Sequence, residues 1–346
     1  MINRKIRLNV ADGIRHLGLV LCLVLTVFAA TPAWSQSGPV DSGLEQPIIR
    51  YDSIHHPEKG RFGMVVSQNS IATQVGHDIL ARGGNAVDAA VAVGFALAVT
   101  LPRAGNLGGS GFMLAHIENT QEILALDYRS VAPRNADAEA FRRADGSMNL
   151  DRVTFGAMAP GVPGTVAAMH LAWKNHGSLP WKDLLLPAFR LAHEGFEIGH
   201  DLAFVLNLAR EVLNYHSPGS EYIKPNGMSW EAGDLLLQEE LAWSIDQIME
   251  HGASAFYTGE LAKRIVSAFE KSGGILTMDD LAAYQVKSRD PVQTTYRGKR
   301  VISMPPVSAG GVTILQMLNM LENFPMAEFG AGSVKSLHVQ AEVMKL

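Results

Sequence analysis

The chain has 346 residues, 47% hydrophobic and 18% charged, which is enough apolar material for a substantial core and excludes disordered and fibrous classes. A length of this size predicts two domains or one large one. The net charge of −5 at neutral pH, with no local basic cluster, excludes a nucleic-acid-binding surface.

Residues 1–35 read as a cleaved secretory signal peptide. Arg4, Lys5, Arg7 and Arg15 precede the apolar run Leu17–Ala30, which is short for a membrane span, and Ala33 and Ser35 offer small residues for cleavage. Its removal would take away Cys22, the only cysteine, and leave 33 acidic against 25 basic residues, a net charge of −8. The expected setting is therefore periplasmic or extracellular, without disulfides. Residues 36–54 form a polar, turn-rich lead-in, and one region is expected from 55 to 346, with His55 and His56 as solvated loop residues.

"FGMVVSQNS" predicts a first buried strand. Ile71, Val75, Ile79 and Leu80 follow at helical spacing, and after "RGGN" comes a helix from Ala86 to Thr100 that is apolar all round and hence buried. Asp88 near its start suits the positive end of the helix dipole. "FMLAHI" and "ILALDYRS", joined by the polar "ENTQE", predict a hairpin. Residues 132–160 read as loop, and the stretch from 161 to about Ala268 as mainly helical. Thr277 with Asp280 three residues on forms a capping-box variant. "VQTTYRGKRVISMPP" predicts two strands around an Arg-Gly turn, and "GGVTILQMLNMLENF" a helix. The closing "SVKSLHVQAEVMKL" predicts a helix capped by Ser333, with Leu337, Ala341 and Met344 on an apolar stripe that expects a core to cover it. The pattern as a whole predicts an α+β or α/β layered fold.

No catalytic constellation stands out from the residues themselves. Gly105–Gly111 has the spacing G-x-x-G-G-x-G and runs from helix to strand, so it serves close backbone packing rather than phosphate binding. Ser110 and Ser308 each lack one glycine of a nucleophile elbow. His193/Glu197 and His338/Glu342 have i, i+4 spacing without a third ligand, and read as surface residues rather than metal ligands. Arg129 ends the strand "ILALDYR" at the rim of a sheet. A guanidinium fixed there can grip a carboxylate through two parallel hydrogen bonds, or it can simply pair with Asp127 or solvent.

The stretch "GMVVSQNSIATQVGHDILARGGNAVDAAVAVGFALAVTLPRAGNLGGSGFML" nevertheless resembles the N-terminal segment of γ-glutamyltranspeptidases, also called glutathione hydrolases. The likeness continues through "ALDYRSVAP", "APGVPGTVAAMHLAW", "GGILTMDDLAAY", "YRGKRVISMPPVSAGGVTILQMLNMLENF" and "HVQAEVMK", from about His55 to Lys345. The resemblance implies an α+β fold, the αββα sandwich of N-terminal-nucleophile hydrolases, present here as a large-subunit part with a mainly helical middle. It implies a precursor that cuts itself into two subunits and frees an N-terminal threonine. That threonine attacks γ-glutamyl compounds such as glutathione, and the γ-glutamyl ester passes to water or to an amino-acid or peptide amine. No cofactor and no metal are implied, and the expected partner is the small subunit of the same precursor.

By this resemblance Arg129 matches the arginine that holds the substrate's α-carboxylate. Ser130 stands where the family often has Glu, which implies a looser arginine, and Ser110 stands where Gly is usual. The nucleophilic threonine is expected beyond Leu346, because Thr294 and Thr295 lie in a strand pattern upstream of "MPPVSAGG". The chain alone is accordingly expected to be inactive. Two alternatives are an inactive truncated or binding protein that keeps only the α-carboxylate site, and a general carboxylate-binding module.

Overall fold

The computed structural model describes residues 58–346, so the expected leader, the lead-in and His55–His56 lie outside the described residues. Helix α1 (Ser70–Ala81) begins where the Asn69 side chain accepts the Ala72 N–H. It leads into α2 (Ala86–Thr100), which buries Val87, Val91, Phe95 and Val99 and has no polar face. With nothing to show to water, α2 becomes the central rod, packed by α1, α4 (Thr165–His176) and α5 (Trp181–His193).

Asp88 does more than meet the helix dipole. It is fully buried, closes a capping box with Asn85, and also accepts the backbone N–H of Ser178 at 3.0 Å. The start of α2 is thereby tied to the connection between α4 and α5.

The predicted hairpin forms as β1 (Gly111–Ile117) and β2 (Glu122–Tyr128), antiparallel with Gly111 opposite Tyr128. Strand β5 (Lys287–Ser288) joins the far side of β2, giving the order β1-β2-β5, and β2 also touches α4. The segment 132–160 is mostly loop, broken by a 3-10 turn (Ala138–Phe141) and a short helix α3 (Leu150–Thr154). The expected helical middle comprises α4, α5, α6 (His200–His216), α7 (Glu239–His251), α8 (Ala253–Tyr257) and α9 (Glu260–Lys271). One small ribbon interrupts it, β3 (Phe196–Glu197) with β4 (Leu235–Leu236).

The capping box at Thr277 and Asp280 opens α10 (Met278–Ala282). Strands β6 (Val292–Tyr296) and β7 (Lys299–Ser303) pair around the Arg-Gly turn and pack on α11 (Ala309–Leu321). A short α12 (Met326–Phe329) precedes α13 (Val334–Lys345), where the Ser333 side chain accepts the Ser336 N–H at 3.1 Å as expected. The fold is α+β, the class the sequence implied.

Two local expectations need correction, at residues 62–69 and at Glu197. Residues 62–69 are not a strand: no ladder partner exists for them among the described residues, and Phe62 and Val66 are exposed. A strand requires a neighbouring backbone as well as a β-prone sequence. In α13 the buried side is Ser336 and Val343, while Leu337 and Met344 are 56% and 70% exposed. Helix α11 covers the flank of the apolar stripe rather than its centre. Glu197 lies in β3 rather than one turn along a helix from His193, which instead meets Glu239 at 3.0 Å.

Candidate functional site

Arg129 sits one residue beyond β2 and its side chain is exposed, but the alternation expected along the strand is absent, since Leu124–Tyr128 are all buried between layers. The Asp127 partnership left open by the sequence resolves differently. Asp127 is 5% exposed, and its Oδ2 accepts Nε (3.1 Å) and Nη2 (2.8 Å) of Arg289. Its Oδ1 accepts the backbone N–H of Arg129 at 3.1 Å. The carboxylate thus serves the main chain of Arg129, while its charge is met by a different arginine. Among the described residues, the Arg129 guanidinium has no carboxylate partner.

Burial pushes the Asp127 carboxyl up, but the Arg289 hydrogen bonds, the Arg129 N–H and the charges of Arg289 and Lys287 outweigh it. The result lies below the usual carboxylate range. On the other side of the Arg129 Cα, the Tyr284 hydroxyl donates to the Arg129 carbonyl at 3.0 Å. Tyr284 is pushed up to about 12, first by burial and then by the charges of Asp127 and Tyr128, so it stays a neutral donor throughout the neutral range.

Glycines let these parts converge. A Cβ on Gly164 would lie 2.1 Å from Tyr284 Oη and 2.2 Å from the Tyr128 carbonyl. A Cβ on Gly111 would press on the Tyr128 ring. The Gly109 carbonyl accepts the N–H groups of both Gly164 (2.9 Å) and Thr165 (3.2 Å), at the start of α4. The Gly105–Gly111 segment therefore packs closely, in agreement with its reading as a packing element, and Ser110 lies within it.

Tyr284 stacks on Tyr257 (centroids 5.8 Å apart), whose hydroxyl donates to the Pro163 carbonyl and accepts the Ala167 N–H. An open cleft of about 520 Å³ lies beside this pair, lined in part by His170, Lys174, Thr258 and Val286. Burial, and then the Lys174 charge, lower the His170 pKa, so its ring is neutral at pH 7.

Of the other residues weighed from the sequence, Thr294 and Thr295 lie inside β6, with Thr294 hydrogen-bonded to Asn319 at 2.6 Å. Ser308 precedes α11. Among the described residues, no group of three or more His, Cys, Asp or Glu is placed to hold a metal ion. No described helix is long and apolar enough to cross a membrane. Arg289 and Tyr284 escaped the sequence reading because they lie about 160 residues from Arg129. Only the β2–β5 pairing brings them to it, and no local pattern announces a two-residue strand.

The described residues form an α+β fold with an exposed arginine, Arg129, at the end of a sheet strand, and comparison with known proteins gives the family. The chain belongs to the gamma-glutamyltranspeptidase family, whose sequence profile matches residues 72–346. It is 41% identical over 333 residues to the glutathione hydrolase proenzyme of Escherichia coli K12, covering 96% of this chain and 56% of that protein. It is 38% identical over 284 residues to the glutathione hydrolase proenzyme of Pseudomonas sp. A14, covering 82% and 49%. The fold matches the crystal structure of Helicobacter pylori γ-glutamyltranspeptidase with a TM-score of 0.80 and 40% identity, covering 84% of this chain and 83% of that one. The chain spans about half the length of the curated relatives it matches.

Proposed function

We propose that these residues belong to an enzyme that hydrolyses glutathione or transfers γ-glutamyl groups, and that Arg129 holds the α-carboxylate of the donor. The observation that carries the reading is the state of Arg129: an exposed guanidinium at a strand end whose neighbouring carboxylate, Asp127, is committed to Arg289. A planar, permanently charged guanidinium is suited to bidentate capture of a carboxylate. Family membership supplies the reaction class.

In this reading the nucleophile is an N-terminal threonine, supplied by the half of the relatives' length that these residues do not span. Its hydroxyl attacks the γ-carbonyl, the amine leaves with the hydroxyl's proton, and the ester goes to water or to an amino-acid or peptide amine. The partner is the small subunit of the same precursor, and the setting is periplasmic or extracellular.

A γ-glutamyl anilide assay tests this. The chain supplied with the C-terminal half carried by its relatives is expected to release the anilide, and the chain alone to release none. Arg129→Ala should raise KM about tenfold or more, the loss of a charge-assisted hydrogen-bonded contact. An unchanged KM refutes the role of Arg129, and turnover by the chain alone refutes the missing nucleophile.

A further inference from the structure

We propose that Tyr284 and Arg289 are positioning residues that set the aim of Arg129 and thereby the enzyme's selection of donors with a free α-carboxylate. The inference rests on the Arg129 reading above. Its basis is that the two peptide groups flanking the Arg129 Cα are both held by side chains. The N–H is held by Asp127 Oδ1 at 3.1 Å, and the carbonyl by the Tyr284 hydroxyl at 3.0 Å. Arg129 lies between the last rung of the β1–β2 ladder and the isolated bridge of Val131 with Val162, so neither pairing holds its own N–H and carbonyl. Without these two bonds its φ and ψ would be those of an ordinary loop residue, and its guanidinium would sweep with them.

Asp127 can hold the N–H only while its own rotamer is fixed. Arg289 does that with two hydrogen bonds onto Oδ2 and is itself anchored, its backbone N–H donating to the Ala125 carbonyl at 2.9 Å. Tyr284 is equally constrained, stacked on Tyr257 and fitted into the space that Gly164 leaves open. One segment, 284–289, thus controls the rim of β2 from both sides. A bidentate grip on a carboxylate depends on orientation as well as charge, and a pre-ordered arginine loses less entropy on binding. Neither Tyr284 nor Arg289 is placed to touch the donor in this account; both act through the backbone of Arg129.

The test uses this chain together with the C-terminal half carried by its relatives, and two donors: a γ-glutamyl anilide with a free α-carboxylate and its α-methyl ester. Tyr284→Phe removes one hydroxyl and keeps the stack. It is expected to raise KM for the free acid about fivefold, with little change in kcat, and to shrink the preference over the ester by the same factor. Arg289→Gln should act in the same direction, and Arg289→Lys should restore most of the preference.

Arg129→Ala is the control that separates the two claims. If it abolishes the preference while Tyr284→Phe and Arg289→Gln leave it intact, the positioning inference falls and the Arg129 reading stands. Equal losses on both donors, together with a lowered Tm, would mean a merely structural role and also overturn it. If the unaltered protein shows no preference for the free acid, the Arg129 reading fails and takes this one with it.

Discussion

Asp127 is the residue on which the rim depends, because one carboxylate serves a main-chain N–H and a guanidinium at once. Its folded pKa is depressed below the ordinary 3.8. Its stabilising contribution is therefore fully present above that value and is lost as the pH falls through the lower folded one. Asp127→Asn should accordingly flatten the acid side of the stability profile below about pH 4. Denaturant melts across that range check it, and an unchanged slope would show that the pair contributes nothing to acid sensitivity. The position of Arg129 was legible in the sequence because "ILALDYR" reads as a strand that ends at it, although the strand is buried on both faces rather than alternating. The identity of its supports was not, since hydrogen bonds spanning about 160 residues leave no spacing to read. Ser130 implied a looser arginine; the main chain at 129 is held on one side by Asp127 of the same motif and on the other by Tyr284, which the motif does not include.

Among the elements, α2 shows how much one polar residue can do in an apolar helix. Asp88 is buried without a cationic partner among the described residues, and is met instead by backbone N–H groups of Asn85 and Ser178. Asp88→Ala would orphan those donors and break the reciprocal half of the capping box while leaving the Asn85 cap, at a cost of about 3 kcal/mol. Equilibrium unfolding would reveal it, and a change below about 1 kcal/mol would mean that water replaces the carboxylate without penalty. The all-apolar run made α2 readable, and two short runs joined by the polar "ENTQE" did the same for the β1–β2 hairpin. The supposed strand at 62–69 failed for a physical reason. Periodicity says which residues form a face, but what lies against that face is decided by chain segments far away.

The whole molecule leaves several such faces open. Phe204, Leu208 and Tyr215 form an exposed stripe on α6, and Leu337 and Met344 another on α13. β1 is an edge strand of seven residues with no outer partner among the described residues. Open apolar stripes and unpaired strand edges favour association. Produced by themselves, these 346 residues should self-associate with rising concentration, and Leu337→Lys with Met344→Lys should reduce the effect. Sedimentation velocity provides the check; a monodisperse, cooperatively melting monomer would contradict the expectation.

The seating of the Gly109 carbonyl on the first N–H groups of α4 has a consequence for ions at this corner of the molecule. A helix start normally attracts phosphate or sulfate with its exposed donors. Here the chain supplies its own neutral oxygen to two of them, from the glycine-rich segment that superficially resembled a phosphate cradle. That helix end lies against the Tyr128 carbonyl and the Tyr284 hydroxyl, beside Arg129. These two amides are therefore already committed within the chain, and under the proposed role of Arg129 an incoming carboxylate would be met by a side chain that can be aimed rather than by a fixed helix end.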